Sequence, residues 1–172
     1  KEFATLLNAC GRLGKASLGI GACLGDKTIK AKAIKSMDTY KRQIVNAIKW
    51  YEGNKDGDLV VRDNGYMIIN AQDMVLHTII GTLASILSKS NSFKESTFIL
   101  SMARSLDNNT KVSLRVSGRN NDVDLKQIID KIVSGFNNCE AGGHANAAGA
   151  LIPTDIEDDI IKRAKEVLGK VA

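Results

Sequence analysis

At 172 residues the chain has room for one ordinary domain, or a small domain with a helical extension. Hydrophobic residues at 44% and charged residues at 25% exclude global disorder, and 15 Gly, 1 Pro and 3 Cys exclude collagen-like and disulfide-scaffold classes. The net charge of +5 is lopsided: residues 1–52 hold 10 Lys/Arg against 4 Asp/Glu and the remainder 14 against 15, so the basic excess lies in the first third and suits a polyanion or an acidic partner surface.

No window approaches 18 uninterrupted apolar residues and no signal peptide opens the chain, so no membrane contact and a cytoplasmic location are expected. Phe3 to Leu7 already has mid-helix character, and the chain reads as a piece of something longer. Phe3, Leu6, Leu7 and Cys10 recur at helical spacing, interrupted by Gly11 and Gly14. Ser17 to Leu24 reads as a short apolar helix. Asp26 is placed to cap a long helix from Lys27 to about Glu52, with Ile34, Met37, Ile44, Ile48 and Tyr51 on one stripe. Lys35, Arg42 and Lys49 lie seven apart on a neighbouring face, as candidate nucleic-acid backbone contacts. Gly53 to Asp58 is rich in turn formers and predicts a domain boundary.

Beyond it the periodicity changes. Leu59–Arg62 and Tyr66–Asn70 flank Asp63-Asn64-Gly65 and predict a hairpin. An amphipathic helix follows from Asp73 to Ser88, then strands over Thr97–Ala103 and Lys111–Ser117 joined by Asn108-Asn109. Asp122 to Gly135 reads as a capped helix, Gly142-Gly143 as a loop, Ala150–Ile152 as a short strand and Asp155–Lys170 as a closing helix. The order predicts an α/β domain, a small mixed β-sheet covered by helices, preceded by a long connecting helix.

Two segments carry chemistry. In the strand Lys111–Arg119, Val112, Leu114 and Val116 face one way, while Lys111, Ser113, Arg115, Ser117 and Arg119 face the other, since strand side chains alternate. A row of cations and hydroxyls suits phosphate. In Gly142-Gly143-His144-Ala145-Asn146-Ala147-Ala148-Gly149 the paired glycines permit close approach to a ligand, and the small residues predict a short helix with His144 at its N-terminus. A phosphate loop at Gly14-Lys15 fails, because Ala9 and Ala16 occupy the positions that require Gly and Ser/Thr. Cys10, Cys23 and Cys139 form no Cys-x-x-Cys pair and read as buried reduced thiols. His77 reads as structural, and Asp155, Glu157, Asp158 and Asp159 as charge at a helix N-terminus. No metal centre is expected in the chain.

Three segments together resemble one family. Leu7-Asn8-Ala9-Cys10-Gly11-Arg12-Leu13-Gly14 resembles the N-A-x-G-R-L segment of RecJ-type exonucleases. Val112-Ser113-Leu114-Arg115-Val116-Ser117 resembles the S-x-R-S strand of the DHH-associated domain, and Gly142 to Ala150 resembles its G-G-H-x-x-A-A-G-A loop. The flavour is that of archaeal RecJ-like proteins. The resemblance implies residues 1–54 as a helical connector from a missing DHH domain and 55–172 as the DHH-associated, substrate-binding domain. It implies a phosphodiesterase of single-stranded DNA or RNA whose Mn²⁺ or Mg²⁺ ions sit in the DHH domain, with no cofactor in this part. Arg12, Ser113 and Arg115 would contact a substrate phosphate. His144 would act catalytically at the phosphate near the scissile bond, Gly142 and Gly143 would give close backbone approach, and Asn8 would shape the site. The same resemblance leaves two other readings open: an RNA-binding module like the domain at the C-terminus of alanyl-tRNA synthetases, and a replication scaffold associated with the GINS complex.

Overall fold

The computed structural model describes residues 2–118 and 123–171. Arg119 and Asp122, read above as a strand cation and a helix cap, lie outside the described residues. The chain divides into two compact units, the first ending at Ile48 and the second beginning at Lys49.

In the first unit, α1 (Glu2–Arg12), α2 (Ala16–Cys23) and the first part of α3 (Lys27–Asn54) enclose Leu6, Cys10, Ala22 and Ala33. The helix α1 runs through Gly11 instead of ending there. One glycine does not break a helix whose Leu6, Ala9 and Cys10 are buried, because tertiary packing outweighs a propensity penalty of about 1 kcal/mol. The turn falls at Gly14, with a φ of 68°. Asp26 caps α3 as expected, its carboxylate accepting from the Ile29 N–H at 2.9 Å. A Cβ on Gly21 would stand 2.6 Å from Ile29, so α2 and α3 approach closely. All three cysteines are free, but only Cys10 is buried; Cys23 is exposed and Cys139 half-buried. Burial raises the Cys10 thiol above its ordinary pKa.

The second unit is built on a six-stranded sheet in the order β1-β2-β3-β4-β6-β5. The hairpin β1 (Val60–Asp63) and β2 (Tyr66–Asn70) turns through Asn64-Gly65, with Gly65 at a φ of 83°. The helix α4 (His77–Ser88) then crosses to β3 (Phe98–Arg104), which lies parallel to β2. It starts four residues later than the periodicity suggests, because Asp73 to Val75 form a turn. The strand β4 (Asn109–Val116) returns antiparallel to β3. Next comes α5 (Leu125–Val133), capped by Asp124, whose side chain accepts from the Lys126 N–H at 2.9 Å. A second hairpin, β5 (Glu140–His144) and β6 (Ala147–Pro153), joins the sheet through β6, and α6 (Glu157–Leu168) closes the chain.

Strand alternation divides this unit into three layers. Tyr66, Ile68, Phe98, Leu100, Met102, Val112 and Leu114 turn to one face, where Leu125, Ile128, Ile129 and Ile132 of α5 and Ile160, Ala164 and Leu168 of α6 complete the main core. The residues between them turn to the opposite face, which α4 covers along β3 and β4. Among the described residues no helix is long and apolar enough to cross a membrane.

Candidate functional site

The polar face of β4 is not an open sheet surface. It lies under α4, and the fit depends on Gly81: a Cβ there would stand 2.8 Å from the Ser113 hydroxyl and 3.7 Å from Arg115 Nη2. Ser113 is consequently buried. Ser117, read above as part of the polar row, is buried too; its hydroxyl accepts from the Thr97 N–H at 2.9 Å and donates to the Lys94 carbonyl, pinning the loop before β3. Arg115 remains half-buried at the end of the strand. Its Nε donates to Ser85 Oγ at 3.0 Å, and its Nη1 donates to the carbonyls of Leu114 at 2.7 Å and Ala148 at 3.2 Å.

The Gly142-Gly143-His144 segment is a strand and turn, not a helix N-terminus. Gly142 pairs with Gly149 and Gly143 with Ala148, and the chain reverses at Ala145-Asn146. The small residues serve this close pairing. A Cβ on Gly143 would collide with the Ala147 carbonyl, and φ there is 134°; one on Gly149 would meet the Val112 carbonyl at 2.5 Å. Register then aligns the motifs. Ser113 lies opposite Gly149, and Gly149 opposite Gly142, so the two segments form one row across β4, β6 and β5, with neighbouring strands about 4.8 Å apart.

His144 is exposed at the tip of β5, and its Nδ1 accepts from the Asn146 N–H at 3.2 Å. That bond assigns the proton of the neutral imidazole to Nε2, leaving an outward donor. Beside this end of the sheet opens a cleft of about 390 Å³, lined by Ser85, Ser88 and Lys89 of the α4 end and by Arg115, Gly118 and Asn146. A cleft with two cations and several hydroxyl and amide groups can hold a phosphate.

Asn8 and Arg12 belong to α1 in the first unit, and the second-unit group just described is assembled without them. Lys35, Arg42 and Lys49 are exposed on α3, where Arg42 donates to Thr39 Oγ1 at 3.3 Å. Among the described residues no three His, Cys, Asp or Glu side chains group as a metal ion would require, so the donors present do not fit Mn²⁺ or Mg²⁺.

Sequence reading misses the contribution of α4. Gly81 and Ser85 look like gaps in an apolar stripe; two small residues four apart are the available signal for a helix lying close to a sheet. It also misses the role of Glu157. This residue is 4% exposed and accepts from Arg104 Nε and Nη2, the latter at 2.8 Å, from Thr110 Oγ1, and from Asn70 Nδ2 at 3.3 Å. Burial alone would raise its pKa, but these donors hold it below the ordinary carboxylate value.

Residues 64–170 match the model of the DHHA1 domain. Among solved structures, RecJ from Thermus thermophilus in complex with Mn²⁺ is 14% identical with a TM-score of 0.73, over 97% of this chain and 24% of that one. The same protein in complex with Mg²⁺ gives 14% and 0.71, over 97% and 25%. The C-Ala domain of Aquifex aeolicus alanyl-tRNA synthetase is 17% identical with a TM-score of 0.51, over 63% of this chain and 96% of that domain. The chain thus spans about a quarter of the length of the RecJ structures. No curated protein matches its sequence.

Proposed function

The chain belongs to the DHHA1 domain family, and from that premise we propose that it is the substrate-gripping part of a RecJ-like phosphodiesterase of single-stranded nucleic acid. The observation that carries the reading is the row formed by Ser113, Gly149 and Gly142, with Arg115, two residues beyond Ser113 on β4, lining a cleft together with Lys89. Arg115 grips a substrate phosphate through Nη2 of its guanidinium, while Nε and Nη1 stay on Ser85 and the two carbonyls. Gly142 and Gly143 leave no side chain between the sheet edge and the strand of nucleic acid, and His144 Nε2–H donates to a second phosphate oxygen. Asn8 and Arg12 are proposed as substrate-contacting residues of the first unit in their own right, and Lys35, Arg42 and Lys49 attract the backbone through counterion release. Hydrolytic chemistry would come from divalent metal ions held by a DHH domain outside these residues, as Mn²⁺ and Mg²⁺ are bound in RecJ of Thermus thermophilus.

Two measurements test this. The 172-residue chain should bind a 5′-phosphorylated oligothymidylate weakly and with strong salt dependence, and Arg115→Gln should weaken binding tenfold or more, as for loss of a charge-assisted contact of about 1.5–3 kcal/mol. In the complete enzyme Arg115→Ala should mainly raise KM, and His144→Ala should mainly lower kcat, because its contact strengthens as charge develops. Wild-type constants in both variants would remove them from the site. A nucleic-acid module without its own catalysis is the second reading, since its fold is shared with nearly the whole C-Ala domain of an alanyl-tRNA synthetase, and a GINS-associated scaffold is its variant. A GINS subunit that competes with DNA for the basic face of α3 would support the scaffold variant.

A further inference from the structure

We propose that Ser85 is a positioning residue that fixes the guanidinium of Arg115 before a phosphate arrives. The inference rests on the phosphate-gripping role given to Arg115 above, and it adds a part of the site supplied by α4.

Gly81 and Ser85 stand one turn apart on α4 and face Ser113 and Arg115, two apart on β4. The Ser85 hydroxyl donates to the Gly81 carbonyl at 2.8 Å. Its proton is therefore committed to the helix, and its lone pairs turn toward the sheet, where Arg115 Nε donates at 3.0 Å. Nη1 donates to the carbonyls of Leu114 and Ala148. Acceptors on α4, β4 and β6 thus hold two nitrogens of one rigid plane, and two fixed points set the direction of the whole fork. A loose arginine would lose its rotamer freedom on binding, whereas one already held does not. Gly81 makes this possible, since any side chain there would lift α4 from Ser113 and carry Ser85 away from Arg115. Serine bonding back to a carbonyl four residues earlier is common within helices. A serine that did only that would leave phosphate affinity unchanged when replaced.

The test is a double-mutant cycle on the 172-residue chain, with affinity for 5′-phosphorylated octathymidylate read by fluorescence anisotropy and folding read by thermal melts. Ser85→Ala should weaken binding roughly fivefold, the scale of one lost hydrogen bond, with an unchanged melting temperature. Ser85→Thr keeps the hydroxyl and should bind as wild type. In an Arg115→Gln background, Ser85→Ala should have no further effect, because the group it positions is gone. Equal losses from Ser85→Ala in both backgrounds, or no loss with Arg115 intact while Arg115→Gln still weakens binding, would overturn the role of Ser85 and leave the phosphate site standing. Unchanged binding by Arg115→Gln itself would bring down the phosphate reading and this inference with it.

Discussion

Replacing Glu157 with Gln should cost the second unit a large part of its stability. Glu157 begins α6, and its carboxylate ties that helix to the ends of β2, β3 and β4 through Asn70, Arg104 and Thr110. Removing one partner of a buried ion pair costs about 3–5 kcal/mol. Arg104 is 32% exposed and keeps Asp73 at 3.5 Å, so it can partly rehydrate, and the expected loss is the lower figure, about 3 kcal/mol. At about 2–4 °C per kcal/mol the melting temperature should fall by roughly 6–12 °C at pH 7. The pH dependence has a definite sign. The folded pKa of Glu157 lies below its unfolded value, so its contribution is complete above the unfolded pKa of about 4.3 and disappears as pH falls through the folded one. Calorimetric melts from pH 7 to pH 3 should therefore show wild type losing stability faster than Glu157→Gln below about pH 5. Parallel curves, or a variant that melts with wild type at pH 7, would refute the reasoning.

The glycines of the second hairpin should separate in urea denaturation. Gly143→Ala and Gly149→Ala, each placing a methyl within 2.5 Å of a backbone carbonyl, should destabilise by about 1–3 kcal/mol, whereas Gly142→Ala enters open space and should be neutral or slightly stabilising. Gly81→Ala should lower both stability and phosphate affinity, and adding Ser113→Ala should restore part of the stability by removing the atom it strikes. Changing Lys35, Arg42 and Lys49 together to Gln should weaken single-strand binding uniformly across base sequences and reduce the slope of log K against log salt by about 2, measured by anisotropy titration at several salt concentrations. An unchanged slope would take α3 out of the interface.

Most elements are legible because their signals are local. The Asp63-Asn64-Gly65 turn, the Asp26 cap and the apolar spacing of α4 and α5 each report on neighbours within a few residues. The misreadings share one cause. Small residues suggest a helix break at Gly11 and a helix start after His144, and give no reading at Gly81 and Ser85, where the structure brings α4 onto β4. What a small residue does depends on the element opposite it, and that element is distant in the chain. Glu157 looks like one of four acids at a helix start, since nothing near it in sequence announces Arg104, 53 residues earlier.

The α/β class and the alternation of β4 are readable in the residues alone, because periodicity and turn chemistry are properties of short stretches. Tertiary structure alone decided that Gly142-Gly143-His144 is a strand, that it shares a row with Ser113, and that α4 covers that row. Pairing register and the approach of a helix to a sheet are set by packing against partners many residues away. The same distance explains why Arg115 stands out in the sequence as a candidate while the hydroxyl that orients it does not.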